Sequence, residues 1–284
     1  MKAIKQVLKK YPNAAMLIGN GPNLSAGIMP SWSDLLVAAG DQRIRFPYDE
    51  LTNTEIYDLV ELYAKPTTDV KKRVIDQLKL RKTDDLSVHK RLMNLAQEND
   101  SPVLTTNFDA GFETSIDAGM KRINSQGFTR YYPWKNYYSI DELVKPCGGF
   151  GIWKVHGDVK YKDSIRLGLT DYMGSSERAR DLISKGAGRL GNTHRTNPWN
   201  GHETWLDIWF SKPIIIFGLG YGKDEVFLRW LLIERRRFFN KTGRDMDVTY
   251  IDVKGATPNA PVYNLMKNLG VTLKLVKGFD EIYG

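Results

Sequence analysis

Six short runs rich in apolar residues constrain the fold of this 284-residue chain most strongly. Most of them lack the alternation of apolar and polar residues that a half-exposed strand shows, which is typical of strands buried on both faces of a parallel sheet. Segments with the apolar spacing of helices separate the runs. The predicted strands are 14–18, 102–105, 151–155, 213–217, 248–251 and 271–275. The sequence therefore predicts an α/β protein with a Rossmann-like parallel sheet.

Three segments that are rich in Gly, Asn and Asp follow or end the first three predicted strands. They are 19–28 (GNGPNLSAGI), 105–109 (TTNFD) and 155–158 (VHGD). The carboxyl ends of parallel strands share one edge of the sheet, where ligands bind. Glycines at the start of a helix let backbone N–H groups approach a phosphate. Together these segments predict a nucleotide pocket that contains an imidazole.

Histidine is the side chain whose ordinary pKa suits proton transfer near neutral pH, and the chain has four. His89 lies in a helical pattern, so we expect it at the surface or packed against a neighbouring helix. His194 and His202 lie in a polar stretch and are expected to be exposed. His156 ends a buried strand and is the candidate general base. Asp158 is expected either to orient His156 or to solvate its loop.

Metal catalysis and several common nucleophile motifs are disfavoured. The chain has one cysteine, Cys147, and contains no His-x-x-x-His or Cys-x-x-Cys pair. The segment 19–28 lacks the Gly-Lys-Ser/Thr ending of a Walker loop, and no Gly-x-Ser-x-Gly elbow surrounds Ser25. We therefore expect no metal site and no internal disulfide.

The formal charge of +8 invites a nucleic-acid hypothesis but does not require one. The densest basic run, 235–237, lies on a predicted amphipathic helix, 225–240, so a charged outer face is the simpler explanation. Excess positive charge would also attract an anionic nucleotide. The sequence shows no signal peptide and no membrane-spanning run, so we expect a cytoplasmic protein.

The order and spacing of the motifs resemble those of the sirtuin-like (SIR2-like) family, in particular the bacterial branch that consumes NAD in anti-phage defence. The resemblance covers about 16–252 at the level of motifs, with long unmatched stretches between them. In the family, a Gly-Ala-Gly loop followed six residues later by Gly-Ile wraps the NAD phosphates. Gly19, Gly21 and Gly27 keep that spacing.

The resemblance also implies roles for residues at the other strand ends. The family's Thr-Gln-Asn-x-Asp segment resembles 105–109, which implies that Asn107 positions water or ribose hydroxyls and that Asp109 holds the nicotinamide carboxamide. Its catalytic His-Gly resembles His156 and the following glycine. Without the resemblance, Asn107 would be a turn former and Asp109 a helix cap. The residues implied to contact NAD are Gly19, Asn20, Gly21, Asn23, Gly27, Trp32, Gly218, Gly220 and Asp252.

Several departures from the family pattern carry information. Asn20 replaces an alanine, Asn23 replaces the usual serine, and Trp32 stands near the position where protein-deacylating sirtuins have Phe-Arg. Trp32 favours the defence branch. A single cysteine cannot build the four-cysteine zinc cluster of the deacylases, so no zinc is expected.

We expect one sirtuin-like domain over 1–284, with a helical insert over 51–97 in the place of the zinc module. The stretch 173–204, rich in Gly, Ser, Arg and Asn, is predicted to be a long loop or lid. The aromatic segment 128–134 is expected to be a hydrophobic cap or, less simply, a surface that stacks a base.

The resemblance implies an NAD glycohydrolase that releases nicotinamide and ADP-ribose, with NAD as substrate rather than resident cofactor. Two alternatives stay open at this point. One is a protein deacylase or ADP-ribosyltransferase that uses the same pocket. The other is a non-catalytic sensor of NAD or ADP-ribose within a larger assembly. The sequence fits a homo-oligomer or a complex with a partner subunit equally well.

Overall fold

The computed structural model describes residues 1–40, 50–124, 134–194, 196–244, 246–255 and 260–284. Helices and strands alternate along most of this chain. The strands are β1 (Ala15–Ile18), β2 (Val103–Thr105), β3 (Gly119–Arg122), β4 (Asn136–Ser139), β5 (Ile152–Lys154), β6 (Ile214–Phe217), β7 (Val248–Val253) and β8 (Thr272–Val276). The helices are α1 (Lys2–Lys10), α2 (Gly21–Ala26), α3 (Trp32–Ala39), α4 (Asn53–Tyr63), α5 (Val70–Gln77), α6 (Ser87–Glu98), α7 (Gly111–Ser115), α8 (Leu169–Ser184), α9 (Trp205–Ser211), α10 (Val226–Thr242), α11 (Ala260–Asn268) and α12 (Asp280–Tyr283).

The strands form one eight-stranded sheet in the order β3-β4-β5-β2-β1-β6-β7-β8. Six neighbouring strands of this sheet, β5, β2, β1, β6, β7 and β8, are parallel. Their order is that of a Rossmann sheet, in which strands are added first on one side of β1 and then on the other. The predicted α/β class and Rossmann-like sheet are confirmed, as are the six predicted strands. The sequence missed β3 and β4, which pair antiparallel at one edge.

The parallel strands are buried because helices cover both faces of the sheet. Successive residues of β1 point to opposite faces, so Ala15 and Leu17 enter one core cluster whereas Met16 and Ile18 enter the other. This arrangement explains why β1 has no polar positions.

The predicted insert over 51–97 divides between two parts of the structure. Helices α3, α4 and α5 pack around their own apolar cluster, to which Leu36, Tyr57 and Val74 contribute. Helix α6 instead places Leu92 and Met93 in the core beside β1 and β2. The helical unit is therefore α3–α5, whose cluster also takes in Phe108, Ile165 and Leu167, and α6 belongs to the layer that covers the sheet.

The prediction of a loop over 173–204 is wrong for its first part, because 173–184 lies in α8. Ala179 and Leu182 of this helix are buried in the main core, as is Trp199 further along. The stretch 173–204 is rich in Gly, Ser and Arg. This composition favoured a loop over the helix that the few apolar residues at helical spacing indicate. The segment contributes to the core and is not an excursion from it.

The aromatic segment 128–134 lies outside the described residues except for Trp134, which is buried and stacks on Trp205 with ring centroids 5.4 Å apart. Among the described residues, no helix is both long enough and apolar enough to cross a membrane.

Candidate functional site

A cavity of about 470 Å³ opens at the carboxyl edge of the four central strands, beside the point where the strand order reverses. Its volume lies in the range of small-molecule sites, and its position is where open α/β sheets bind ligands. Seven of the sequence-predicted site residues line it. They are Asn20, Trp32, Asn107, Asp109, His156, Gly218 and Gly220.

His156 follows β5 and its imidazole is held by two neighbours. Its Nε2 lies 2.9 Å from Oε2 of Glu225, and the ring of Tyr172 meets it edge-on with centroids 5.3 Å apart. Because an ionised carboxylate only accepts hydrogen bonds, Nε2 is the donor, and in the neutral ring Nδ1 then carries the lone pair. Nδ1 is buried and has no hydrogen-bond partner within the described chain. The ring is therefore oriented as a base, with a proton acceptor at Nδ1.

Glu225 was not identified from the sequence. It immediately precedes α10 and also lines the cavity. The only signal in the sequence is that an acidic residue lies in the Gly-rich loop after β6. The carboxyl ends of β6 and β5 lie on opposite sides of the site.

Asp158 does not orient His156. Its Oδ2 accepts a hydrogen bond of 2.5 Å from the Tyr138 hydroxyl, and its Oδ1 accepts one of 2.9 Å from the backbone N–H of Lys160. The carboxylate is buried and stabilises the loop after β5. The orienting role that the sequence offered to Asp158 falls to Glu225.

Asn107 lies in the turn after β2. Its backbone N–H donates to Oγ1 of Thr105 at 3.1 Å, and that hydroxyl donates to the carbonyl of Ile18 at 2.9 Å. The turn is thereby tied to β1. The side-chain nitrogen is buried and has no partner among the described residues, although the side chain lines the cavity. An unpaired buried amide is costly, so a ligand oxygen would satisfy it.

Asp109 combines the structural role that its position suggests with a place on the cavity. Its Oδ1 accepts the backbone N–H of Gly111 at 2.8 Å, close to the start of α7, and its Oδ2 accepts the Asn23 amide at 2.8 Å. The backbone carbonyl of Asp109 accepts a hydrogen bond from Lys154, which also pairs with Glu113 at 2.9 Å. Both the side-chain carboxylate and the backbone carbonyl of Asp109 are therefore held in place by hydrogen bonds.

Lys154 and Glu113 form an ion pair that is almost completely buried beneath this turn. Burial works against the charge on Lys154, but the carboxylates of Glu113, Asp158 and Asp109 outweigh it and hold the Lys154 pKa above its ordinary value. The charged lysine stabilises the turn that carries Asn107 and Asp109.

The early glycines bring two loops together and do not themselves line the cavity. A Cβ on Gly21 would lie 2.6 Å from Cα of Gly218, and one on Gly19 would lie 2.8 Å from Cα of Leu219. Gly218 has φ +64°, a conformation that favours glycine. By contrast, a Cβ on Gly220 would meet nothing within 4 Å. The loop after β6 therefore borders the cavity. The early glycines support it from the loop after β1, whose Asn20 also lines the cavity.

Three of the other residues implied to contact NAD lie off the cavity. Asn23 is fully buried and bonded to neighbouring side chains. Gly27 ends α2 with φ +65°. Asp252 accepts the Tyr263 hydroxyl at 3.0 Å and is half-buried at the end of β7.

The cavity lining is acidic. Asp109, Asp224 and Glu225 contribute three carboxylates, and the described lining contains no Lys or Arg. Asp224 accepts both the backbone N–H (2.6 Å) and the side-chain amide (3.0 Å) of Asn53, which ties the loop after β6 to the helical unit. Trp32 and Phe108 add an aromatic side, with ring centroids 5.6 Å apart. The site suits a ligand with a flat, positively charged group.

Among the described residues, no three His, Cys, Asp or Glu side chains are arranged to hold a metal ion. The thiol of Cys147 donates to Oδ2 of Asp207 at 3.3 Å, and burial raises its pKa above the ordinary value. This cysteine is partly buried and packs against the main core, and a raised pKa disfavours its reactive thiolate form.

Fold and site together define a Rossmann-like α/β protein with a His–Glu pair and the Asn107 amide at the carboxyl-edge cavity. No protein-family model matches the chain, and no curated protein matches it.

Proposed function

We propose that this protein is a sirtuin-like NAD glycohydrolase that cleaves the bond between nicotinamide and ribose to give nicotinamide and ADP-ribose. One observation carries the proposal: His156 Nδ1 and Asn107 Nδ2 are both buried and unpartnered in the described chain, and their side chains line the same cavity. A proton acceptor and a hydrogen-bond donor in one pocket are the groups that hydrolysis of this bond needs.

The acidic lining matches the charge of the substrate. The nicotinamide ring of NAD is cationic and leaves as a neutral molecule, while positive charge develops on the ribose. No acid is needed to assist the leaving group. Carboxylates that are already in place, here Asp109, Asp224 and Glu225, stabilise such a charge without reorganisation.

His156 would accept the proton of the attacking water at Nδ1. Glu225 holds the Nε2–H side of the ring and stabilises the imidazolium that forms. Asn107 would donate its amide N–H to a ribose hydroxyl or to the water. Each group makes this contact without first breaking a hydrogen bond, because neither atom has a partner in the described structure.

The remaining contacts follow from the shape of the cavity. Asp109 uses one hydrogen bond on each oxygen, and a carboxylate oxygen accepts more than one, so it can also accept the carboxamide N–H. Trp32 and Phe108 offer a flat apolar surface to an aromatic ring. Open space beside Gly220 leaves room for the dinucleotide backbone.

The motif resemblance adds the biological part of the proposal: a zinc-free enzyme of anti-phage defence that acts as a homo-oligomer or with a partner subunit. A cytoplasmic location follows from NAD as substrate.

The proposal is tested by incubating the full chain with NAD and separating the products by chromatography. Equal amounts of nicotinamide and ADP-ribose are expected from the native protein and from a His202→Ala control, whose half-buried imidazole does not line the cavity. His156→Ala should release neither. Calorimetric binding of NAD without any product would identify a sensor, and nicotinamide release that requires an acyl-lysine peptide would identify a deacylase. Either result would overturn the glycohydrolase.

A further inference from the structure

A chain of buried hydrogen bonds runs from α6 to the cavity. Nε2 of His89 lies 2.8 Å from Oδ1 of Asn23, and Nδ2 of Asn23 lies 2.8 Å from Oδ2 of Asp109 and 2.9 Å from Oδ1 of Asn20. His89 and Asn23 are fully buried, whereas Asn20 and Asp109 line the cavity. Two residues of the site therefore meet at one amide, and one histidine holds that amide from behind.

The chemistry of the partners fixes the orientation of each group. Asp109 accepts hydrogen bonds only, so the nitrogen of Asn23 must face it. The oxygen of Asn23 then faces His89, which must donate from Nε2. The orientation of the Asn20 amide is also fixed. Its nitrogen donates to the carbonyl of Pro30 at 3.1 Å, so its oxygen faces Asn23.

His89 is neutral in this arrangement. Burial lowers its pKa, although the carboxylates of Asp109 and Asp85 act in the opposite direction. With its proton on Nε2, the ring has a bare Nδ1, which is buried and without a partner in the described chain. The ring packs against Phe112 with centroids 5.1 Å apart, which limits its rotation.

We propose that His89 is a positioning residue of the site: its Nε2–H locks the Asn23 amide, which in turn holds the Asn20 and Asp109 side chains in place. The consequence for catalysis rests on the proposed function, since Asp109 is there expected to face the nicotinamide–ribose end of NAD. The Nε2–H of His89 satisfies the Asn23 oxygen, so the Asn23 nitrogen stays directed at Asp109 and Asn20.

The first test does not depend on activity. Nitrogen-15 NMR of histidine-labelled full-length protein should show one imidazole, absent from His89→Gln, that keeps its proton on Nε2 and stays neutral to a lower pH than an exposed imidazole. The Asn23 side-chain amide should exchange slowly with solvent in the native protein and in His89→Gln, and about ten times faster in His89→Met. An imidazole at His89 that titrates near pH 6.5, or that carries its proton on Nδ1, would overturn the proposal.

The second test compares donors of matched size. Gln places an N–H close to the position of the imidazole Nε2–H, whereas Met fills similar space without a donor. For NAD cleavage, His89→Met should lose about 10- to 100-fold in kcat with KM within about threefold, and His89→Gln should keep most of kcat. Lys90→Met, at an exposed position on the same helix, is the control.

The two proposals fail in different ways. A native protein that does not cleave NAD defeats the glycohydrolase, while the NMR experiment still decides the role of His89. Equal kcat values for His89→Met and His89→Gln in an active enzyme would defeat the positioning role alone. If His89→Met does not fold, the tautomer of His89 in the native protein remains the deciding measurement.

Discussion

His156 and Glu225 are 69 residues apart in sequence, yet their Nε2 and Oε2 atoms lie 2.9 Å apart. His156 follows β5 and Glu225 follows β6, and these strands are separated in the sheet by β2 and β1. The pair therefore spans the carboxyl ends of the two central strands. The turn that carries Asn107 and Asp109 lies at the end of β2, between the two partners.

Replacing Glu225 by Gln should slow NAD cleavage with little effect on binding. Gln can accept the Nε2–H bond but removes the charge that stabilises the imidazolium. We expect kcat to fall by about 10²-fold while KM stays within about threefold. Glu234→Gln, at a position on α10 paired with Arg237, is the matched control. Steady-state kinetics in which both variants behave alike would remove Glu225 from the mechanism.

Asn107→Ala and Asn23→Ala should separate activity from stability. The amide nitrogen of Asn107 has no partner among the described residues, so its loss should change the free energy of unfolding by less than about 1 kcal/mol while reducing kcat by about 10²-fold. Asn23 makes three side-chain hydrogen bonds, and its loss should cost about 2–4 kcal/mol. Urea denaturation and kinetics on both variants test this. A strongly destabilised Asn107→Ala would show that the amide is bonded.

The sheet was predictable because its central strands are buried on both faces and therefore leave short apolar runs in the sequence. Strand β3 was not, because its residues are exposed or half-buried at the sheet edge and carry no such run. Helix α8 was missed because its few buried residues include Ser175 and the surrounding sequence is rich in Gly, Ser and Arg, which weakens the apolar signal of helical spacing.

Within the site, the residues at strand ends were predictable because parallel strands bring their carboxyl ends together. Glu225 was not, since the strands that precede Glu225 and His156 have two other strands between them in the sheet and no local pattern links the two residues. His89 was expected to be at the surface or packed against a helix. A polar residue on the buried side of an amphipathic helix was the available signal for its role in the hydrogen-bond chain.

Gly21→Ala and Gly220→Ala should differ sharply in stability. The new Cβ at Gly21 would overlap Cα of Gly218 and the hydroxyl of Tyr283, whereas the one at Gly220 would meet open space. We expect Gly21→Ala to cost more than about 2 kcal/mol and Gly220→Ala less than about 0.5 kcal/mol. Melting temperatures and urea midpoints measure the difference. Equal stabilities would mean that the loops after β1 and β6 are not in close contact.

His89 should make the protein less stable in mild acid. Its folded pKa is lowered by burial from an ordinary value of about 6.5, so below that pH the unfolded chain binds a proton that the folded chain does not. Stability is therefore lost as pH falls below about 6.5. Between pH 7.5 and 5.5, native protein should lose about 1 kcal/mol more than His89→Gln. Parallel pH dependences would contradict a neutral His89.

The stability lost on replacing Lys154 should depend strongly on whether its buried partner Glu113 is still present. Lys154→Met leaves the Glu113 carboxylate buried without its cation and should cost about 3–5 kcal/mol. The double variant Lys154→Met/Glu113→Leu should recover much of that loss. Lys185→Met, which removes an exposed pair with Asp181, should have no measurable effect. A double variant no more stable than Lys154→Met would show that the lysine acts mainly through the backbone carbonyls of the Asp109 turn.

The rate of nicotinamide release at saturating NAD, for native protein and for His156→Ala, tests the central claim most directly. NAD binding by each protein is measured alongside it. The account predicts that His156→Ala binds NAD with an affinity within about threefold of native and releases nicotinamide at least 10³-fold more slowly. A His156→Ala protein that releases nicotinamide at the native rate would contradict it, as would a native protein that binds NAD and releases none.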